Sequence, residues 1–290
     1  MKSEAIRAYA KLNLTLDILS ERPDGYHDLA MVMQSVDLAD ILCITEDDSR
    51  QISCSCDRPD IPVDERNLAV KAAKAFFETA GLSCPGLHIE LEKHIPAGAG
   101  MAGGSSDAAA VLRCLRRRYA PDMTDAVISA LALRIGSDVP YCLRGTTALA
   151  EGRGEILRDL TALAPCCIVI CKPDFSVSTA ELFGAVKLCE LTRHPDTAGM
   201  IAALASKDIV SVSKKLYNVF EDILPGKYSE VYRIKNALLR AGALNAVMSG
   251  SGPTCFGVFP DAGSAEAAAG TLKERYAETY LAKPILSADV

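Results

Sequence analysis

The most constraining feature of the chain is an eleven-residue stretch at 96–106, Pro-Ala-Gly-Ala-Gly-Met-Ala-Gly-Gly-Ser-Ser. It ends a segment of strand-like alternation and opens an alanine-rich segment with helical spacing. Glycines let backbone N–H groups approach a ligand without a Cβ in the way. The start of a helix adds unpaired N–H groups and the positive end of its dipole. A strand, glycine-rich loop and helix in that order therefore predict a cradle for phosphate. A plain connection between strand and helix would use the same residue types, so the rest of the chain has to decide.

Before the loop, residues 5–18 alternate and are rich in Leu, Ile and Tyr, as in a strand. They stop at the turn Arg22-Pro23-Asp24-Gly25, and a second strand-like run covers 31–36. Residues 67–80 place Leu68, Ala72, Ala75 and Phe76 at helical spacing and end at Gly81. Residues 87–93 have apolar side chains at every second position, the pattern of a strand with one wet face.

After the loop, Ser105, Ser106 and Asp107 are expected to cap a helix over 108–119, whose basic end at Arg116, Arg117 and Arg118 suits a helix C-terminus. Thr124 is expected to cap a further helix closed near Gly136, followed by a turn through Ser137, Asp138, Val139 and Pro140. A strand over 146–150 and the turn Gly152-Arg153-Gly154 complete this half. The loop at 160–165 is the expected domain boundary. Beyond it lie a buried strand over 166–171, mainly helical segments, and a turn at 249–253. A strand over 254–259, a helix over 262–276 and a last strand near 284–286 close the chain.

Two common owners of a glycine-rich loop fit poorly. Gly98-Ala99-Gly100-Met101-Ala102-Gly103 satisfies the dinucleotide pattern G-x-G-x-x-G. That fold, however, needs a buried parallel strand before the loop, and here the strand carries Glu90 and Glu92. It also needs an acid ending a second strand about 20 residues later, where this chain has Pro121 and Asp122 leading into a helix. A Walker A loop needs G-K-[ST], but Gly104, Ser105 and Ser106 follow Gly103.

With 49% hydrophobic and 23% charged residues the chain is an ordinary folded one. A net charge of −6 argues against nucleic acid or an anionic membrane as partner, so a phosphorylated ligand needs locally placed cations. The 11 cysteines include no C-x-x-C pair and are expected to be reduced, with those at 166–171 acting as small core hydrophobes. With no export or membrane-spanning segment read from the sequence, the expected location is the cytoplasm.

Five segments together carry a family likeness: Lys11-Leu12-Asn13-Leu14, Arg22 to His27, Gly103-Gly104-Ser105-Ser106-Asp107, Gly136-Ser137-Asp138-Val139-Pro140, and Ser249-Gly250-Ser251-Gly252-Pro253. In this order the chain resembles the GHMP small-molecule kinases over nearly its whole length. The Pro-Asp-Gly-Tyr-His segment narrows the resemblance to the branch whose acceptor is a cytidine diphosphate-linked methylerythritol in the non-mevalonate isoprenoid route. The fold so implied is two-domain α+β, with an ATP-binding domain built on a mixed sheet over 1–160 and a ferredoxin-like α+β domain over 161–290.

The resemblance implies transfer of the ATP γ-phosphoryl to the 2-hydroxyl of the erythritol moiety, a reaction of positioning and charge stabilisation with Mg²⁺. Asp138 takes the role of general base, although an aspartate before Pro140 would also suit a turn. Lys11 would lie beside it, where its ammonium can orient or acidify the hydroxyl. Asn13, two residues on and so on the same strand face, would contact the erythritol part. Pro96, Ala97, Gly98, Ala99, Gly100, Met101, Ala102, Gly103, Gly104, Ser105 and Ser106 would wrap the ATP phosphates, with Ser105 also on the Mg²⁺ side. Asn67 and Lys93 would border the adenine. Tyr26 and His27 would meet the cytosine, with Thr179 and Phe183 completing its pocket. A sister kinase of the homoserine or mevalonate type, a nucleotide-binding sensor without catalysis, and an NAD-dependent oxidoreductase are the competing readings.

Overall fold

A computed structural model of the chain describes residues 3–286. Its frame is a long antiparallel pair, β1 (Ser3–Glu21) and β2 (His27–Glu46), joined by the turn at 22–26. β2 is much longer than the run at 31–36 suggested, because Asp37 and Asp40 interrupt its apolar pattern without breaking the strand. β3 (Ile52–Cys56), α1 (Leu68–Ala80) and β4 (Leu87–Glu92) follow. Next come α2 (Gly103–Tyr119), α3 (Asp125–Ile135), α4 (Val139–Arg144), β5 (Thr147–Gly152) and β6 (Ile156–Asp159).

Among the described residues these strands form one seven-stranded sheet together with β8 (Tyr217–Asn218) from the second half of the chain. One long side of β2 is shared out: β5 pairs with 29–34 and β4 with 41–46. Between them β2 has neither strand as neighbour, and the segment near the C-terminus partly fills the interval, through hydrogen bonds of Asp37 to Lys283 and Ile285 to Ser35.

The second sheet is antiparallel, in the order β11 (Thr279–Ala282), β7 (Cys167–Cys171), β10 (Cys255–Phe259), β9 (Asn245–Met248). The remaining helices are α5 (Thr179–Ala185), α6 (Thr197–Ser206), α7 (Ile209–Lys214), α8 (Glu230–Arg240) and α9 (Ala262–Lys273). Strand alternation sends Val169, Cys171 and Phe259 into the core shared with Leu238 of α8 and Leu272 of α9. Ile168, Ile170 and Phe256 point the other way and pack with Leu12, Leu14 and Val32 of the first sheet. The two halves of the chain therefore share a buried apolar layer. No helix among the described residues is long and apolar enough to cross a membrane, and all eleven cysteines are unpaired.

Three local expectations need correction. α2 begins at Gly103, so Ser105, Ser106 and Asp107 lie inside it; the N-cap is Ala102, in left-handed backbone with φ 59° and no capping side chain. Residues 139–144 form a helical turn of their own, with Pro140 in its first turn, where a missing N–H does no harm. The last strand is at 279–282 rather than 284–286, of which Pro284 makes only an isolated bridge to Val36.

Candidate active site

One cleft of about 1140 Å³ runs from the glycine-rich loop to the turn after β1. The loop end is set by backbone constraints. Gly98 and Gly100 have φ of 58° and 70°, in the region that favours glycine. A Cβ on Gly100 would lie 2.1 Å from the carbonyl oxygen of Ser249, so two backbones meet there at a distance only glycine permits. The turn at 249–253 thus buttresses the loop from the second half of the chain. Ser249 Oγ donates to the Gly100 carbonyl at 3.0 Å and accepts from the N–H of Asn13 at 3.3 Å. Asn218 holds that turn by donating to the carbonyls of Met248 and Gly250, each at 2.8 Å. On the other side, the N–H of Lys11 donates to the Met101 carbonyl. With no capping side chain at Ala102, the first N–H groups of α2 have no acceptor in the helix, and Gly103, Gly104 and Ser105 line the cleft. These backbone groups have the chemistry of an anion cradle.

The middle of the cleft is formed by β1, whose register on β2 slips between Tyr9 and Lys11 and again between Asn13 and Thr15. Such irregularities re-aim side chains, and here they bracket the two polar residues that matter. Lys11, buried, donates to Asn13 Oδ1 at 2.6 Å and lies 3.9 Å from Asp138 Oδ2. Asn13 Nδ2 is fully buried and has no hydrogen-bond partner. Asp138 stands at the start of α4 with a third of its side chain exposed, open to the cleft. Its neighbour Cys142 is no nucleophile: burial, and then the Asp138 charge, push its thiol up to about 12.

The far end is aromatic. The guanidinium of Arg153 lies 3.6 Å from the ring centroid of half-exposed Tyr26. His27 and Phe183 have ring centroids 5.2 Å apart, and Phe183 meets Phe220 edge-on at 4.9 Å. Thr179 shares a 2.7 Å hydrogen bond with Ser251, linking the start of α5 to the buttressing turn.

The structure thus gathers Lys11, Asp138, loop residues 96–100 and 102–105, Tyr26, His27, Thr179 and Phe183 around one space, whereas Asn13, Met101 and Ser106 are buried and do not line it. Three expected contacts have prior commitments. Asn67 caps α1 by accepting from Ala69 and donates to the Pro62 carbonyl. The Ser106 hydroxyl donates to the carbonyl of Tyr9, tying α2 to β1. Lys93 gives its ammonium to Asp40 and Asp107. Sequence reasoning missed Arg153, whose only local signal was a cation between two glycines. It also missed Asp40, whose only signal was a charge inside an otherwise apolar strand.

Similarity to known proteins follows the same lines. Residues 67–146 match the family model of the GHMP kinases N terminal domain, and residues 200–278 that of the GHMP kinases C terminal. The 4-diphosphocytidyl-2-C-methyl-D-erythritol kinase of Clostridium novyi (strain NT) is 42% identical over 96% of this chain and 99% of its own length. That of Clostridium tetani (strain Massachusetts / E88) is 43% identical over 97% and 99%. A crystal structure of 4-(cytidine 5'-diphospho)-2C-methyl-D-erythritol kinase superposes with a TM-score of 0.83 at 32% identity, covering 97% of this chain and 99% of that one. A homoserine kinase from Cytophaga hutchinsonii, with a TM-score of 0.72 at 18% identity and coverage of 98% and 95%, shares the fold.

Proposed function

Because the chain belongs to the 4-diphosphocytidyl-2-C-methyl-D-erythritol kinases of the GHMP kinase family, we propose that its cleft places ATP in the loop and the acceptor between Lys11, Asp138 and the aromatic end. The enzyme is an ATP-dependent phosphotransferase acting on 4-diphosphocytidyl-2-C-methyl-D-erythritol, with the 2-hydroxyl as acceptor in our reading. The observation that carries the site assignment is the placement of the Lys11–Asp138 pair between the backbone anion cradle and the aromatic end, in one continuous cleft.

The residues divide the work. Backbone N–H groups at the start of α2 receive phosphate oxygens, and the buttress from Ser249 keeps the loop from moving as charge shifts during transfer. Asn13 serves the acceptor by holding the Lys11 ammonium, and Lys11 lies where that ammonium can meet both the acceptor hydroxyl and Asp138. Asp138 receives the hydroxyl proton. Because phosphoryl transfer passes through a loose transition state, its orienting role counts as much as its basicity.

Tyr26, His27, Thr179 and Phe183 receive the cytidine. Asn67 and Lys93 border the adenine through their position on the cleft wall, since their polar side-chain atoms are engaged elsewhere. Mg²⁺ favours oxygen donors and keeps several waters. The Ser105 hydroxyl, on the cleft wall at the start of α2, fits a single protein contact to an ion held mainly by phosphates. When bound, Mg²⁺ supplies charge neutralisation for the transferred group.

The test is direct: purified protein, Mg²⁺, ATP and the cytidylyl acceptor, scored for ADP and for a substrate monophosphate. Turnover with this acceptor is expected. Turnover of homoserine or mevalonate in its place would overturn the acceptor assignment and leave the kinase family intact.

A further inference from the structure

Where β4 ends at Glu92, opposite Ile41, β2 loses its neighbour on that side while staying paired with β1, and the next residue along β2 is Asp40. Its side chain takes over the missing pairing: Oδ1 accepts the N–H of His94 at 2.6 Å and of Ile95 at 2.7 Å, the last two residues before Pro96. Its other oxygen accepts from the Lys93 ammonium, which also donates to Asp107 Oδ2 at 2.6 Å. Asp107 lies in the second turn of α2. The ion cluster therefore closes the span from 93 to 107, with the whole glycine-rich loop inside it.

All three side chains are almost fully buried, and removing one member of a buried charged group is costly because the others are left uncompensated. The packing is also tight. A Cβ on Gly103, the first residue of α2, would lie 3.2 Å from Ile95 and 3.6 Å from Asp40 Oδ2, so the helix start rests on the cluster. Burial raises the Asp107 carboxyl above its ordinary range; the Asp40 charge adds to this and Lys93 opposes it.

We propose that Asp40 and Asp107, acting through Lys93, are positioning residues for ATP. They fix the distance and orientation between the strand end and the helix start that flank the phosphate loop. Lys93 then serves the nucleotide by holding the loop rather than by giving it an ammonium. The proposal rests on ATP occupying the loop. It concerns that substrate alone, because the acceptor residues lie outside the span from 93 to 107 that the cluster closes: on β1, in the turn at 22–26 and the first residue of β2, at the start of α4 and on α5.

Asp40→Asn keeps an oxygen for the two N–H groups but loses the charge facing Lys93; Asp107→Asn is the milder change. Each full-length variant is compared with the parent for KM of both substrates, kcat, melting temperature and the affinity of Mg²⁺-ADP by calorimetry. For Asp40→Asn the KM for ATP and the Kd for ADP should rise about tenfold or more, with the acceptor KM within about twofold. Asp107→Asn should shift the same two constants in the same direction by less.

Unchanged ATP KM and ADP Kd alongside a lower melting temperature would reduce the cluster to a structural role and overturn the proposal. An equal rise in both KM values would do the same. Should Asp40→Asn fail to fold, Asp107→Asn decides. A parent protein that binds ADP but does not phosphorylate the cytidylyl acceptor would refute the functional reading, while the ADP affinities of the variants would still judge the cluster.

Discussion

Replacing Gly100 by alanine should separate the loop's backbone geometry from every side-chain contribution to the site. The new methyl adds no charge and removes no hydrogen-bonding group. Its Cβ would lie 2.1 Å from the Ser249 carbonyl oxygen and 3.0 Å from the N of Gly252, more than about 1 Å inside normal contact for the first of these. Left-handed backbone at φ 70° costs alanine about 1–2 kcal/mol. Forcing a methyl group into a filled space typically costs about 1–3 kcal/mol more. The sum, about 2–5 kcal/mol, can be relieved only by moving the loop away from the turn at 249–253, which also stretches the Ser249–Gly100 hydrogen bond. If half of it reaches ATP binding, affinity falls about five- to sixtyfold.

Gly81→Ala is the matched control. It too has a positive φ, 65°, but nothing lies within 4 Å of its would-be Cβ, and it sits at the end of α1 away from the cleft. It should cost about 1–2 kcal/mol in stability with kinetics unchanged. ADP release under varied ATP, together with thermal melting, measures both variants. Gly100→Ala with parental KM for ATP, parental kcat and no more stability loss than Gly81→Ala would refute the claim that the buttress sets the loop.

Two further outcomes follow from the rest of the cleft. Asp138→Asn keeps the shape of the α4 start and should lower kcat about 10²–10⁴-fold with ADP affinity near the parent's, as read by steady-state kinetics and calorimetry; near-parental turnover would remove Asp138 as proton acceptor. Phe183→Ala strips the ring that touches both His27 and Phe220, and should raise the acceptor KM about tenfold or more while leaving that for ATP unchanged; an unchanged acceptor KM would place the cytidine elsewhere.

Local chemistry explains which parts of the fold were legible in the sequence. Asn67 and Gly81 mark the two ends of α1 through short-range hydrogen bonds and a left-handed C-cap, and both read correctly. Thr124, whose side chain accepts from the N–H of Val127, and Gly136, in extended backbone, likewise bound α3. The start of α2 was misread because Ser105 and Ser106 have capping chemistry, whereas tertiary contacts place the cap at Ala102, a residue with none. Ser106 uses its hydroxyl on the Tyr9 carbonyl instead.

In the site, Lys11 and Asn13 were legible as a pair because strand alternation puts them on one face, and their side chains meet at 2.6 Å. The Asp40–Lys93–Asp107 cluster was not, since it joins positions 53 and 14 residues apart that no local pattern relates. The buttress at Ser249 was visible as a motif, but its contact with Gly100 spans 149 residues and becomes physical only when the second sheet packs on the first.

The division of the cleft explains how one fold serves different alcohols. The homoserine kinase shares the fold at 18% identity although its name gives a different alcohol, so the fold alone cannot choose the acceptor. Under the proposed assignment the choice in this chain comes from the end lined by Tyr26, His27, Phe183 and Phe220, on elements separate from the loop. A small aliphatic acceptor would leave those rings facing water and gain nothing from them. A flat base would cover their apolar area and could set its polar edge against His27, and this remote binding would hold the hydroxyl beside Asp138. Acceptor specificity should therefore be lost through changes at the aromatic end that leave the anion cradle and its buttress untouched.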